Sequence, residues 1–311
     1  MKCVLLSGGF DLRKYLASEI KRLEGRISFV DHLDGSDPAE IRMAVGWHPP
    51  ADAFDHYPNL EVACSIGAGA DNILNCPSLR EDIRVVRIVE PAQAQMMAGF
   101  VIFHAIWHQR HFATYFANQR ERVWKRIGQR TMQEVPVGIL GYGAIGARVA
   151  ADLAMLGFPV NVWSRSAKPT PAGITGFHGA DGLDAMLAGT EILVNLLPLT
   201  AETKGILNGV LFGKLRRGGY LIQVGRGPHL VEQDLLEALD SGQLAGAALD
   251  VFHVEPLPPE HPFWVHPKIV LTPHDASDVS LVATGQTILA TAEALRAGLP
   301  PKDAVDRSRG Y

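Results

Sequence analysis

Three side chains of complementary chemistry each stand a few residues beyond an apolar run. Arg226 lies in Gln223-Val-Gly-Arg-Gly227, Glu255 in Asp250-Val-Phe-His-Val-Glu-Pro256, and His274 in Leu271-Thr-Pro-His274. A guanidinium grips a carboxylate or carbonyl oxygen with two parallel N–H groups, a glutamate can orient an imidazole, and an imidazole exchanges a proton with an oxygen near neutral pH. Each residue alone is also ordinary loop chemistry, so their value lies in occurring together. A fourth feature binds rather than reacts. Gly141-Tyr-Gly-Ala-Ile-Gly146 follows the apolar run Val137–Leu140 directly and precedes the amphipathic run Ala147–Leu156. In that setting Gly141 allows a tight turn, Gly143 lets the backbone approach a pyrophosphate, and Gly146 lets the helix pack on its strand. The helix N-terminus, with Ala144 and Ile145 in its first turn, then faces the negative charge. The spacing points to a dinucleotide.

Which dinucleotide depends on the end of the next strand. NAD-preferring sites carry an acidic residue there, about 20 residues past the glycines, to bind the ribose hydroxyls. This chain has Trp163-Ser164-Arg165-Ser166 instead, with Lys168 close behind. A guanidinium and two hydroxyls suit a 2′-phosphate that a carboxylate would repel. The expected cofactor is therefore NADP(H), with NAD(H) as the alternative.

These groups need strands to present them. From Val4 to Ile88, short apolar runs (Val4–Leu6, Ile27–Val30, Met43–Val45, Val62–Ile66, Val85–Ile88) alternate with polar or glycine-containing segments. A second series follows Pro136: strands at Val137–Leu140, Val160–Trp163, Ile192–Leu196, Tyr220–Val224, Ala247–Val251 and Ile269–Leu271, with helices at Ala144–Leu156 and Glu232–Ser241. Such alternation predicts an α/β protein of two domains with doubly wound parallel sheets. Gln93–Ala117 contains no proline and no turn signal, and reads as one long helix between the domains; Ser280–Ala297 reads as a last helix returning to the first.

Composition narrows the partners. The 311 residues suit two domains, and 47% hydrophobic with 20% charged residues is ordinary globular composition. A net charge of -4 offers no basic face for nucleic acid and no polybasic membrane anchor, leaving a small molecule as the expected partner. The apolar N-terminal stretch is short and stopped by Gly8 and Gly9, and reads as a first strand rather than a signal peptide. Cys3, Cys64 and Cys76 show no CxxC spacing, so reduced thiols and a cytoplasmic location are expected. His104, His108 and His111 lie at helical spacing, but without an acidic companion in that stretch they predict no metal site.

Read in order, Ser65-Ile-Gly-Ala-Gly-Ala-Asp71, the glycine loop, Asn195-Leu-Leu-Pro-Leu-Thr-Ala-Glu-Thr203, Arg226-Gly227, Gly246-Ala-Ala-Leu-Asp-Val-Phe252, Glu255-Pro256 and Thr272-Pro-His274 resemble the D-isomer-specific 2-hydroxyacid dehydrogenases over nearly the whole chain. Within that family, Trp47-His-Pro-Pro50, Trp163-Ser-Arg-Ser166, Glu255-Pro-Leu-Pro-Pro259, Phe263-Trp264 and Val305-Asp-Arg-Ser-Arg-Gly-Tyr311 resemble the glyoxylate/hydroxypyruvate reductases of the A type. The resemblance implies a Rossmann-type nucleotide domain (98–280) and a flavodoxin-like, discontinuous substrate domain (1–97 and 281–311). It implies reduction of a small 2-oxo acid by hydride transfer, with Arg226, Glu255 and His274 catalytic and His274 the proton donor. The backbone of Gly67, Ala68 and Gly69 would receive the substrate carboxylate, with Arg226 and His274 also touching substrate. Asp250 would lie near the nicotinamide amide, Leu197 and Pro198 beside the adenine, and Thr203 near the phosphates. Trp47, in a loop after a substrate-domain strand, is the side chain expected to shape the substrate end. A homodimer is implied, with Trp124 on an arm that packs on a second subunit.

Gln223, Asp275 and Ala98 depart from the family pattern, which often has asparagine, a small or apolar residue and an acid at those positions. No cofactor contact is assigned to Ala98. Within the family, formate dehydrogenation is disfavoured by a glutamate at 255, and the long phosphoglycerate dehydrogenases by the chain's end. A broad-specificity D-lactate-type dehydrogenase and a non-enzymatic NAD(P)-sensing protein of the same fold stand as alternatives.

Overall fold

A computed structural model describes residues 1–307, and the chain divides into two compact units, Met1–Ala92 with Asp278 onward, and Gln93–Ser277. These divisions fall a few residues before those expected from sequence; the first lies inside the opening turn of a helix begun by Pro91. Residues 308–311 of the C-terminal motif lie outside the described residues. No described helix is long and apolar enough to cross a membrane.

The first unit holds strands β1 (Lys2–Ser7), β2 (Ser28–Asp31), β3 (Ile41–Trp47), β4 (Val62–Ser65) and β5 (Arg84–Val86). Helices α1 (Leu12–Tyr15), α2 (Ala17–Arg22) and α3 (Asp71–Leu74) join them. The sheet is wholly parallel in the order β2-β1-β3-β4-β5, the flavodoxin-like winding. Period-two alternation explains its burial on both faces. Val4, Leu6, Ala44, Ala63 and Val85 pack on one side with Phe54 and Ile73. Cys3, Leu5, Met43, Val45 and Cys64 pack on the other with Ile288 and Leu295 of the last helix, α10 (Leu281–Arg296). All three cysteines are buried and free.

The second unit holds seven parallel strands: β6 (Val137–Leu140), β7 (Val160–Ser164), β8 (Ile174–His178), β9 (Ile192–Asn195), β10 (Gly219–Gln223), β11 (Leu244–Leu249) and β12 (Ile269–Leu271). Their order, β12-β11-β10-β9-β6-β7-β8, is the Rossmann winding with one added strand. Its helices are α4 (Pro91–Gln109, begun in the first unit), α5 (Phe112–Glu121), α6 (Ala144–Met155), α7 (Gly179–Gly189), α8 (Gly209–Lys214) and α9 (Glu232–Asp240). Alternation again separates the faces. Ile139, Val194, Ile222 and Ala248 meet α4 and α6 through Val101, Val149 and Leu153, whereas Leu140, Leu193, Leu221 and Leu249 meet Met186, Phe212 and Leu235 of α7, α8 and α9. Truncating one of these buried leucines to alanine costs about 2–5 kcal/mol.

The single helix expected over Gln93–Ala117 is instead two, and this corrects the sequence expectation. His111 adopts a left-handed backbone, φ 57°, between α4 and α5. The break folds α5 back so that Phe112 and Phe116 meet Trp107, with ring centroids 5.7 and 5.1 Å apart. The histidines of this stretch go separate ways: His104 is buried, which pushes its pKa down to about 4, and His108 bonds Glu191 at 2.9 Å. Burial would raise the Glu191 carboxyl, but His108 and Arg130 together bring it down to about 2, fixing α4 to the start of β9.

Candidate active site

Strand register lines up the last residues of the second sheet in one row. Trp163 pairs with Leu140, Leu140 with Asn195, Asn195 with Gln223, Gln223 with Leu249, and Leu249 with Leu271. Most of the nucleotide and reactive groups expected from sequence sit just past that row: Gly141, Ser164, Leu197, Arg226, Asp250 and His274. Open α/β sheets place their ligands beyond the carboxyl ends of the strands.

At the β6–α6 junction the glycines do what their spacing requires. Gly141 has φ 100°, and a Cβ there would lie 2.7 Å from the Leu196 carbonyl oxygen. At Gly146 a Cβ would fall 2.1 Å from the Gly141 carbonyl oxygen. Gly143, by contrast, has open space within 4 Å, at the end of a helix whose first turn carries no side-chain cap. The backbone N–H groups of the first turn, from Ala144, Ile145 and Gly146, are therefore available to an anion. The residues present fit a dinucleotide pyrophosphate.

Past β7, Ser164 Oγ donates to the Ser166 carbonyl at 2.9 Å, and Lys168 Nζ reaches back to the Tyr142 carbonyl at 2.9 Å. Arg165 lies 3.8 Å from Glu202, both well exposed, a pairing worth about 0–1 kcal/mol and readily exchanged for a stronger anion. Along the next loop Leu197 is buried, and the Pro198 carbonyl accepts the Thr203 hydroxyl at 2.7 Å.

The three reactive residues come together past β10, β11 and β12. His274 Nδ1 faces Glu255 Oε2 at 2.8 Å, while Glu255 Oε1 accepts the Phe252 N–H at 2.9 Å. Both carboxylate oxygens are thus committed, and the imidazole is held by the nitrogen that leaves Nε2 to present a proton. His274 is in the left-handed region, φ 58°, a conformation costly for a residue with a Cβ and one that concentrates at functional sites. The bond and charge of Glu255 raise the His274 pKa above the ordinary histidine value, against burial and the nearby Arg226 charge. Burial works to raise the Glu255 carboxyl, but His274, the Phe252 N–H and Arg226 hold it below the usual range. Arg226 is thus close enough for its charge to act on both partners.

Asp250 serves the loop that carries His274. It is buried, its Oδ1 accepts the Thr272 hydroxyl at 2.6 Å and the Asp275 N–H at 2.8 Å, and its Oδ2 accepts the Ala276 N–H at 3.0 Å. Burial still leaves its pKa raised. The departure at Gln223 proves structural: its Oε1 accepts from Asn195 and from the Gly225 N–H at 2.8 and 3.2 Å, and its Nε2 donates to the Arg226 carbonyl at 2.9 Å. Gly227 lets the arginine loop lie on the glutamate loop, since a Cβ there would fall 2.0 Å from the Phe252 carbonyl.

Within the first unit, Trp47 ends β3 and its indole lies against the loop after β4, 3.1 Å from where a Gly67 Cβ would stand. Ser65 Oγ accepts the Gly67 N–H at 3.1 Å and donates to the Gly69 carbonyl at 2.7 Å. This narrows the expectation for the carboxylate loop. With the Gly67 N–H engaged, the N–H groups of Ala68 and Gly69 are the donors left outside this network. Sequence reasoning missed Ser65 and His229 as supports; neither has a residue-type signal that separates it from an ordinary buried polar side chain.

Residues 102–276 match the D-isomer specific 2-hydroxyacid dehydrogenase, NAD binding domain family. A curated relative from Serratia proteamaculans, named glyoxylate/hydroxypyruvate reductase A, is 40% identical over 307 residues, covering 97% of this chain and 97% of the relative. Among solved structures, a D-isomer specific 2-hydroxyacid dehydrogenase from Xanthobacter autotrophicus Py2 in complex with NADPH and MES is 37% identical with a TM-score of 0.92, covering 100% of this chain and 99% of that one. An NADPH-dependent glyoxylate/hydroxypyruvate reductase from Sinorhizobium meliloti, in complex with NADP and sulfate, is 36% identical with a TM-score of 0.91 over the same shares. With the glycine loop, both windings and the Arg226, Glu255 and His274 cluster already in place, these matches establish that the chain belongs to the D-isomer specific 2-hydroxyacid dehydrogenase family of oxidoreductases.

Proposed function

We propose that the protein reduces small 2-oxo acids, glyoxylate to glycolate and hydroxypyruvate to D-glycerate, with NADPH and with His274 as proton donor. The observation that carries this reading is the Glu255–His274 pair at 2.8 Å, beside Arg226 and on the same sheet end as the glycine loop. The names and bound cofactors of the similar proteins point the same way. A bound nicotinamide supplies a hydride to the carbonyl carbon. His274 gives its Nε2 proton to the carbonyl oxygen as that oxygen gains charge, and Glu255 stabilises the imidazolium beforehand. Arg226 holds the oxygen and part of the carboxylate, and Ala68 and Gly69 are our candidates for further carboxylate donors. Trp47, lying over that loop, bounds the size of the group on C2. Steady-state rates with glyoxylate, hydroxypyruvate, pyruvate and a bulkier 2-oxo acid test the reading; no turnover on any of them overturns it in favour of a sensor.

Ser164, Arg165 and Ser166 are assigned to the 2′-phosphate, Leu197 and Pro198 to the adenine, Thr203 to the phosphates and Asp250 to the vicinity of the nicotinamide amide. Replacing Arg165 by glutamate is expected to lower kcat/KM for NADPH roughly 10- to 100-fold, the worth of a lost charge-assisted hydrogen bond, and to leave NADH nearly untouched. Equal losses with both cofactors would place Arg165 elsewhere.

A homodimer accounts for the apolar surface of α4, α5 and the arm that follows. Trp124 is 100% exposed, and Phe103, Phe112, Phe116 and Val123 are also open to solvent. Sedimentation of a Trp124→Glu variant should return a chain near 33.7 kDa where the parent sediments as a dimer; an unchanged dimer removes the arm from the interface. Three free, buried thiols suit a reducing compartment such as the cytoplasm.

A further inference from the structure

Behind the residues that would touch substrate and cofactor, one fully buried histidine joins the loops that carry them. His229 is 0% exposed and ends a short turn, Gly227–His229, directly after Arg226. The Arg226 backbone N–H donates to His229 Nδ1 at 3.0 Å. A backbone N–H can only donate, so Nδ1 is the acceptor and the ring proton sits on Nε2. That Nε2 donates to the Pro198 carbonyl at 3.1 Å. Asn195 closes the circuit. Its Nδ2 lies 3.0 Å from the same Nδ1 and 2.8 Å from Gln223 Oε1, and its Oδ1 accepts the Leu197 N–H at 3.2 Å. The space is cut to the imidazole, because a Cβ on Gly225 would lie 2.9 Å from Nδ1. Backbone bonds run alongside, from Gly205 to the Pro228 carbonyl and from Leu207 to the His229 carbonyl, both at 2.9 Å.

We propose that His229 is a positioning residue: one ring nitrogen sets the backbone of Arg226, and the other sets the Leu197–Pro198 loop. It thereby supports the grip on the oxo acid with one nitrogen and the seat of the cofactor with the other. The proposal rests on the reading of Arg226 and of residues 197–198 given above. An imidazole suits the task because it offers an acceptor and a donor on opposite sides of a rigid ring. A buried apolar side chain of similar size would fill the space and leave the Arg226 N–H and the Pro198 carbonyl each short of a partner.

The two arms can be cut separately. In His229→Asn, the amide oxygen takes the place of Nδ1 and still accepts from Arg226, while nothing from position 229 reaches the Pro198 carbonyl, which keeps only the Thr203 hydroxyl. In His229→Gln, the longer amide reaches Pro198 and nothing accepts from Arg226. His229→Asn is expected to raise the Kd for NADPH roughly 5- to 30-fold, with the KM for glyoxylate at saturating NADPH held within about twofold. His229→Gln is expected to lower kcat/KM for glyoxylate by a similar roughly 5- to 30-fold, with the NADPH Kd held within about twofold. Each variant is judged alone against its melting temperature. If both constants shift together in step with lost stability, or neither shifts, His229 only fills space and the proposal is overturned. A parent enzyme that binds NADPH but turns over no oxo acid sinks the functional reading instead, and the NADPH Kd of His229→Asn still decides the cofactor arm.

Discussion

Replacing His274 by asparagine lowers kcat for glyoxylate reduction roughly 10²- to 10⁴-fold, the usual worth of a positioned proton donor, and leaves NADPH affinity within a few-fold. Asparagine is the replacement of choice because residue 274 is left-handed, φ 58°, a region asparagine tolerates better than alanine. The loss then reports on the proton and not on backbone strain. The pH dependence follows from the same geometry. Reduction needs the imidazolium, and Glu255 raises the His274 pKa, so kcat/KM is high at low pH and falls as pH rises through that raised value. Glu255→Gln removes the charge and weakens the bond, so the alkaline limb moves to lower pH. A variant at 274 with parental turnover, or a Glu255→Gln profile that does not move, would remove His274 from the proton path.

Much of this site was legible because a parallel sheet turns a linear pattern into a spatial one. Each apolar run read from the sequence ended at the register row Leu140, Trp163, Asn195, Gln223, Leu249 and Leu271 or one or two residues past it, and the reactive groups followed within a few positions. Strand ends that could be read from sequence therefore placed Arg226 and His274 on one edge. The glycine loop was legible for a different reason: a Cβ at Gly141 or Gly146 collides with backbone, so no other residue fits.

What was not legible depended on contacts without a local pattern. The edge strand β8, Ile174–His178, is mostly exposed and flanked by Gly173 and Gly179, so it lacks the apolar run that revealed its neighbours. The break at His111 brings Phe112 and Phe116 onto Trp107, and no glycine or proline announces it. Gln223 looked like a departure and proved a support, since its amide fills three hydrogen bonds in the loop before Arg226. At 67–69 the glycine-rich loop was visible, but the Ser65 hydroxyl that engages Gly67 was not. Side-chain to backbone bonds of this kind are set by folding in three dimensions.

Arg226→Gln supplies the second large effect, and it pulls against the first. Loss of a bidentate, charge-assisted grip on the substrate, at about 1.5–3 kcal/mol for each hydrogen bond, lowers kcat/KM for glyoxylate roughly 10²- to 10⁴-fold. Arg226→Lys keeps the charge but not the planar fork and falls between. The pH profile separates this role from a general weakening of the fold. In the parent, the Arg226 charge opposes protonation of His274, while Glu255 favours it. Removing the arginine charge therefore lets the His274 pKa rise further, so the alkaline limb of Arg226→Gln moves to higher pH, opposite to Glu255→Gln. Arg226→Lys retains a cation and should leave the limb close to its parental position. Loosened packing would not move two limbs in opposite directions. If Arg226→Gln and Glu255→Gln shift the same way, the guanidinium does not face the imidazole, and the division of labour between Arg226 and His274 has to be redrawn.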